Sequence, residues 1–196
     1  MSKNRENWED VLNPEIMRER LISISMFITA FELLRETIVE NLRSFYADGY
    51  DSDGPIVGEE YELHVLSKNR SIVHASLSWL LENGAIDIND VRSFDEIKKI
   101  RNRVVHEMLH AFTKGEDFNV IEAFDPLIAL MRKIGIWWVV NVEIPTNPDY
   151  DGEEIDEDGI VPGCILSLNL MMEVVSGNTM FLEEHRKART AADEKH

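Results

Sequence analysis

Arg101, Asn102 and His106 stand close together in the chain and offer the parts of a site that handles phosphate without a metal. A guanidinium stays charged and grips two phosphate oxygens as a fork. An imidazole near its unperturbed pKa can give or take a proton at neutral pH. The carboxamide of Asn102 could orient either group. Spacing alone carries little, because three Arg/His pairs here are similarly spaced: Arg101/His106, Arg103/His110 and Arg189/His196. The first has more context. Asn follows the Arg, the basic lead-in Lys98-Lys99-Ile100 precedes it, and the stretch lies within a periodic helical segment.

Geometry sets a condition on this trio. Asn102, His106 and His110 are four residues apart in turn and share one helix face. At roughly 100° per residue, Arg101 lies about 140° round the helix from His106. One helix therefore does not aim both at a single point. A long arginine, or a second copy of the helix, must close the gap.

Arg101-Asn102-Arg103-Val104-Val105-His106 resembles the mark of the HEPN superfamily, the small all-helical domains common in prokaryotic toxin and antiphage systems. That mark is an Arg, then a polar residue that is often Asn, then a His a short interval later. The resemblance covers roughly residues 13–140, mostly through helical layout; only the motif helix is specific. It implies a metal-independent endoribonuclease that needs no cofactor. The RNA 2′-OH attacks phosphorus, which requires a base, an acid and charge stabilisation. His106 would be the acid/base residue, Arg101 the phosphate clamp and Asn102 an orienting hydrogen-bonder. Lys98, Lys99 and Arg103 would contact RNA. The resemblance further implies a homodimer whose two motif helices face one cleft, and an antitoxin or other regulatory protein as partner. Some toxin members carry Tyr two residues after the His, where this chain has Met108. Other members lack activity, so a non-catalytic binding or assembly module is the alternative expectation.

His106-Glu107-Met108-Leu109-His110 also reads H-E-x-x-H, in which two His at i and i+4 hold Zn²⁺ and Glu is the general base. The extended metzincin pattern fails, since Thr113 stands where Gly belongs and Glu116 where the last His belongs. Glu122 and Glu143 are third-ligand candidates without a supporting motif. Zincins lay their peptide along a sheet edge, and no upstream strand is expected. The zinc reading, with His106, Glu107 and His110 as its metal-site residues, ranks below the other two, and no metal is expected.

Bulk composition narrows the classes. The 196 residues suit one domain with an appendage, and 44% hydrophobic residues can bury a core. A net charge of −17 argues against general binding to nucleic acid or to anionic membrane. The charge is uneven. Residues 149–158 carry seven acids, whereas residues 92–103 hold five basic residues and two acids. Cys164 is alone, so neither a disulfide framework nor a Cys-based zinc site is expected. The charged N-terminus has no apolar signal core, and the apolar run 134–140 is too short to span a bilayer. The expectation is a cytoplasmic protein with no membrane contact.

The elements that must position the motif follow from punctuation and period. Residues 1–12 read as a lead-in, 13–144 as the helical bundle, 145–163 as an acidic loop, and 164–196 as a C-terminal helix with a charged tail from 183. Asn13-Pro14 starts a long helix to about residue 46. A turn-rich loop covers 47–57, and one helix is expected from about 58 to 83. There Arg70 and His74 form a second basic pair. The motif helix is expected to start at a Ser93/Glu96 capping box and close at Gly115. The next helix either starts at Asp125-Pro126 or starts near 118 and bends at Pro126. The fold class predicted is all-α, an up-and-down bundle of four main helices plus a C-terminal helix.

Overall fold

Asn13 caps the longest helix of the chain, as its position before Pro14 predicts. Its side chain accepts from the Glu15 amide at 3.0 Å, and α1 (Pro14–Phe45) runs 32 residues from there. The computed structural model describes residues 8–114, 120–152 and 154–193, with side chains for all of these except 108–114 and 191–193. Phe27, Phe31, Leu34, Ile38 and Leu42 of α1 are buried, which makes this helix the spine of the core. Leu21 and Phe45 of the same helix are exposed.

Residues 47–57 form a small antiparallel hairpin where a loop was expected: β1 (Ala47–Asp51) pairs with β2 (Gly54–Val57). Asp51 Oδ1 accepts from the Asp53 amide at 2.8 Å, and Gly54 takes φ 120° to turn the chain. The expectation of no upstream strand is corrected by this hairpin. The single helix expected over 58–83 is also two: α2 (Glu59–His64) and α3 (Ile72–Glu82). Between them Asn69 is extended at φ −158° and ψ 152°, and its side chain accepts from the Ser71 amide at 3.0 Å. Short polar side chains that bond nearby backbone compete with the helix in this way.

The motif helix α4 (Ile88–Lys114) starts earlier than Ser93. Asp87 accepts from the amides of Asn89 (2.7 Å) and Asp90 (3.2 Å), and Asp90 accepts from the Asp87 amide at 2.8 Å. Two Asp residues thus make the reciprocal cap that Ser93 and Glu96 were expected to make. Gly115, the expected stop, lies outside the described residues. Of the two readings of Pro126, the continuous helix is the one adopted: α5 (Val120–Trp138) carries Pro126 inside it. A π-type turn, Val139–Glu143, follows. Short helical turns at Pro148–Tyr150 and Glu157–Gly159 interrupt the acidic segment.

α6 (Gly163–Val175) packs on α1 and α5, and Gly177 at φ 93° ends it. The expected charged tail is instead α7 (Met180–Asp193). Asn178 Oδ1 accepts from the Met180 amide at 3.0 Å, which supplies a start signal the charge pattern hid. The fold is all-α: α1, α3, α4 and α5 are the main helices and the hairpin is a minor addition.

α5 and α6 meet at Gly135, where an added Cβ would lie 2.6 Å from Pro162 Cβ and 2.7 Å from its Cγ. Gly to Ala in a helix interior normally gains up to about 1 kcal/mol. Here the rigid proline ring must move, and overpacking of this kind costs about 1–3 kcal/mol. Gly135→Ala should therefore lower the urea midpoint; a raised midpoint would show that α5 and α6 are looser than described.

Candidate functional site

The rotation of α4 about its own axis decides where the motif residues face. Phe94, Ile97 and Val104 are buried, and Phe94 stacks on Phe31 of α1 with ring centroids 5.8 Å apart. Arg101 is four residues after Ile97 and three before Val104, so it lies within that buried stripe and is half-buried. His106 is two residues past Val104 and points to solvent. The core thus turns Arg101 toward α1 and His106 away from it.

Arg101 is held by two hydrogen bonds and an aromatic ring. Nη2 donates to Glu32 Oε1 at 2.6 Å, and Nη1 approaches Asn102 Oδ1 at 3.4 Å. The guanidinium carbon sits 5.5 Å from the centroid of the Phe31 ring, a cation–π geometry. Nε is buried with no hydrogen-bond partner among the described residues.

Arg101, Asn102 and Lys98 line a hollow of about 270 Å³ with Phe31, Glu32, Arg35, Val73 and Phe94. That size falls just below the ~300 Å³ at which ligand pockets start. Arg35, Lys98 and Arg101 supply positive charge; Glu32 opposes it. A neighbouring hollow of about 310 Å³ carries Glu32, Glu36 and Glu40, so one lip of the basic site is acidic. His106 does not line either hollow, and no described residue holds its ring.

The other expected contacts divide. Lys98 faces the hollow, whereas Lys99 donates to Glu96 at 2.7 Å, and that hydrogen bond raises its pKa. Arg103 is exposed. Among the described residues no three His, Cys, Asp or Glu side chains come close enough to hold a metal. The side chain of His110 lies outside the described residues, as does Glu116, so only His106 and Glu107 of the H-E-x-x-H pattern are placed. Glu107 is exposed, and Glu122 and Glu143 do not join it.

Sequence reasoning missed two partners. Glu32 is 69 positions from Arg101, and only the folded contact reveals it. His74 was read as half of a basic pair with Arg70. It is instead held between helices: Nε2 lies 3.0 Å from Asp95 Oδ1 on α4 and Nδ1 lies 3.2 Å from Ser71 Oγ. A signal existed, since Asp95, Lys98, Asn102 and His106 share one face of α4 by their spacing. The start of α4 is fixed to α5 by Lys133, which bonds Asp87 at 3.1 Å and also pairs with Asp90. No family model matches the chain, and no curated protein or solved structure matches it.

The cap of α4 gives this region an acid-sensitive component. The hydrogen bond from Lys133, followed by the amides of Asn89 and Asp90, holds the Asp87 carboxyl below its ordinary value. A depressed carboxyl pKa lends stability above the unfolded value, near ~3.9, and loses it as pH falls through the folded value. Asp87→Asn should lower the melting temperature at neutral pH and flatten its fall below about pH 4. An unchanged acid limb would show that Asp87 does not hold α4.

Proposed function

We propose that this chain is a HEPN-like, metal-independent endoribonuclease of a toxin or defence system, acting on RNA in the cytoplasm. One observation supports it most. Arg101 and Asn102, adjacent in the motif, line the same basic hollow as Lys98 and Arg35, over the apolar rings of Phe31 and Phe94. The rings are buried under the hollow and offer no stacking face, so the basic rim, which suits phosphate, carries the reading. His106 shares a face with Asn102 but lies off the hollow, so the reading requires a second copy of the chain to bring an imidazole to the clamp. The resemblance implies the same homodimer.

The chemistry follows from the residues. Arg101 neutralises the charge that builds at phosphorus, and His106 moves the proton of the 2′-OH or of the 5′-oxygen leaving group. Glu32 competes with phosphate for the Arg101 fork and must give way when RNA binds.

The Glu32 pairing also favours a second reading, a non-catalytic HEPN module that binds a regulatory partner. There Arg101 is a structural cation tying α4 to α1.

The test is cleavage of RNA in the presence of chelator, with the ends analysed. The nuclease should leave 2′,3′-cyclic phosphate or 3′-phosphate ends. His106→Ala should slow cleavage by ~10²–10⁴-fold. Arg101→Ala should cost a similar amount, about 10²–10³-fold, and Arg101→Lys should rescue little, because a point charge does not replace the fork. Glu32→Gln should tighten RNA binding. A dimeric His106→Ala protein that cuts as fast as the parent would end the ribonuclease reading. A parent that cuts no RNA leaves the binding module as the better account.

A further inference from the structure

Ser71 has the place of a helix cap and does not act as one. Its backbone, at φ −87° and ψ 121°, is that of the residue before α3, yet its side chain makes no capping bond. A serine there normally accepts from one of the first amides of the helix. Its Oγ lies instead 3.2 Å from His74 Nδ1. On the far side of the ring, His74 Nε2 lies 3.0 Å from Asp95 Oδ1 of α4. A hydroxyl, an imidazole and a carboxylate thus form one hydrogen-bonded chain across two helices, outside the Arg101–His106 motif.

The partners fix the protons of this chain. A carboxylate only accepts, so Nε2 carries the proton of the neutral ring and Nδ1 is left as an acceptor. The Ser71 hydroxyl is therefore the donor to Nδ1, and its lone pairs stay free. That is the arrangement of an activated serine, with a base on its proton and an acid orienting the base. The ring is turned over relative to the usual serine hydrolases, with Nε2 on the acid; either nitrogen can serve as the base. Phe94 holds the ring edge to face, with centroids 6.1 Å apart. The amides of Ile72, Val73 and His74 head α3, have no acceptor within the helix, and are left uncapped by Ser71. Donors of this kind suit the oxyanion of acyl transfer. Ser71 and His74 are half-buried, so solvent reaches them. Val73 also lines the hollow of about 270 Å³, which has room for a small acyl group.

We propose that Ser71, His74 and Asp95 form a second catalytic site, which hydrolyses small carboxylic esters through an acyl-serine. Ser71 Oγ attacks the carbonyl carbon as its proton passes to His74 Nδ1. The carbonyl π electrons move to oxygen, where the first amides of α3 hold the charge. Collapse breaks the bond to the alcohol oxygen, which takes the proton from His74. Water then attacks the acyl-serine by the same route, releasing the acid and restoring the Ser71 hydroxyl. Asp95 touches no reacting atom; it is a positioning residue that holds the ring and its tautomer. The site uses neither Arg101 nor His106, so the outcome of RNA cleavage does not decide it.

Labelling of the full chain with a fluorophosphonate probe tests it, with the adduct located by peptide mass spectrometry. Ser71 Oγ displaces fluoride from phosphorus and keeps the phosphonyl group. The parent should carry the adduct at Ser71, and Ser71→Ala should carry none on that peptide. His74→Ala should slow labelling by ~10²–10⁴-fold. In hydrolysis of p-nitrophenyl acetate, Asp95→Asn should lower kcat by about tenfold or more with KM little changed. Loss of a merely structural tie between α3 and α4 would not split the two constants in this way. Circular dichroism checks that each variant keeps parental helicity. A parent unlabelled at Ser71 overturns the proposal whatever the variants do. So does a folded His74→Ala protein labelled at the parental rate, or a folded Asp95→Asn protein with parental kcat.

Discussion

The stacking of Phe31 on Phe94, where α1 crosses α4, is the contact on which the candidate site depends. An aromatic pair is worth about 0.5–1.5 kcal/mol beyond the area it buries. Its larger effect is geometric. With Phe94, Ile97 and Val104 committed to the core, α4 has one allowed rotation. That rotation lays Arg101 over Phe31 and against Glu32, and sends His106 to solvent. The roughly 140° between the two motif residues comes from helix periodicity; core packing decides that Arg101 is the one turned toward α1. No side-chain rotamer of one chain needs to undo it if a second chain supplies the other half.

Electrostatics then sets the resting state. Arg101 and Glu32 are partly shielded from water, at 29% and 39% side-chain exposure, so their pairing is screened less than a surface ion pair. Removing Glu32 leaves a half-buried cation over an aromatic ring, ready for another anion. Phosphate is one such anion, and the carboxylate of a partner protein is another. The acids on α1 and the −17 net charge oppose unselective binding of a polyanion at this cation.

Local signals carried much of the fold. Asn13-Pro14 starts α1, Gly84 at φ 74° follows α3, and the three- and four-residue period of α4 identifies the buried stripe. Where two local signals competed, the sequence could not choose. Asp87/Asp90 and Ser93/Glu96 both have capping spacing, and the contact of Lys133 with both Asp residues favours the earlier one. The hairpin at 47–57 was hidden because its strands are short and rich in Asp and Gly, residues typical of turns. Asn69 and Ser71 split a segment whose apolar period continues through the break. The candidate site was legible only on α4. Glu32, Arg35 and Phe31 come from another helix, and no local rule connects them to Arg101.

The proposed roles of Arg101 and His106 both rest on attack by an RNA 2′-OH. The most direct measurement compares an RNA oligonucleotide with the same strand carrying a 2′-deoxy nucleotide at each mapped cut site, both in chelator with purified protein. If the 2′-OH is the nucleophile, the first is cleaved and the second is not at the substituted positions, with both strands bound alike. Equal cleavage of both strands, or binding without cleavage of either, would contradict it.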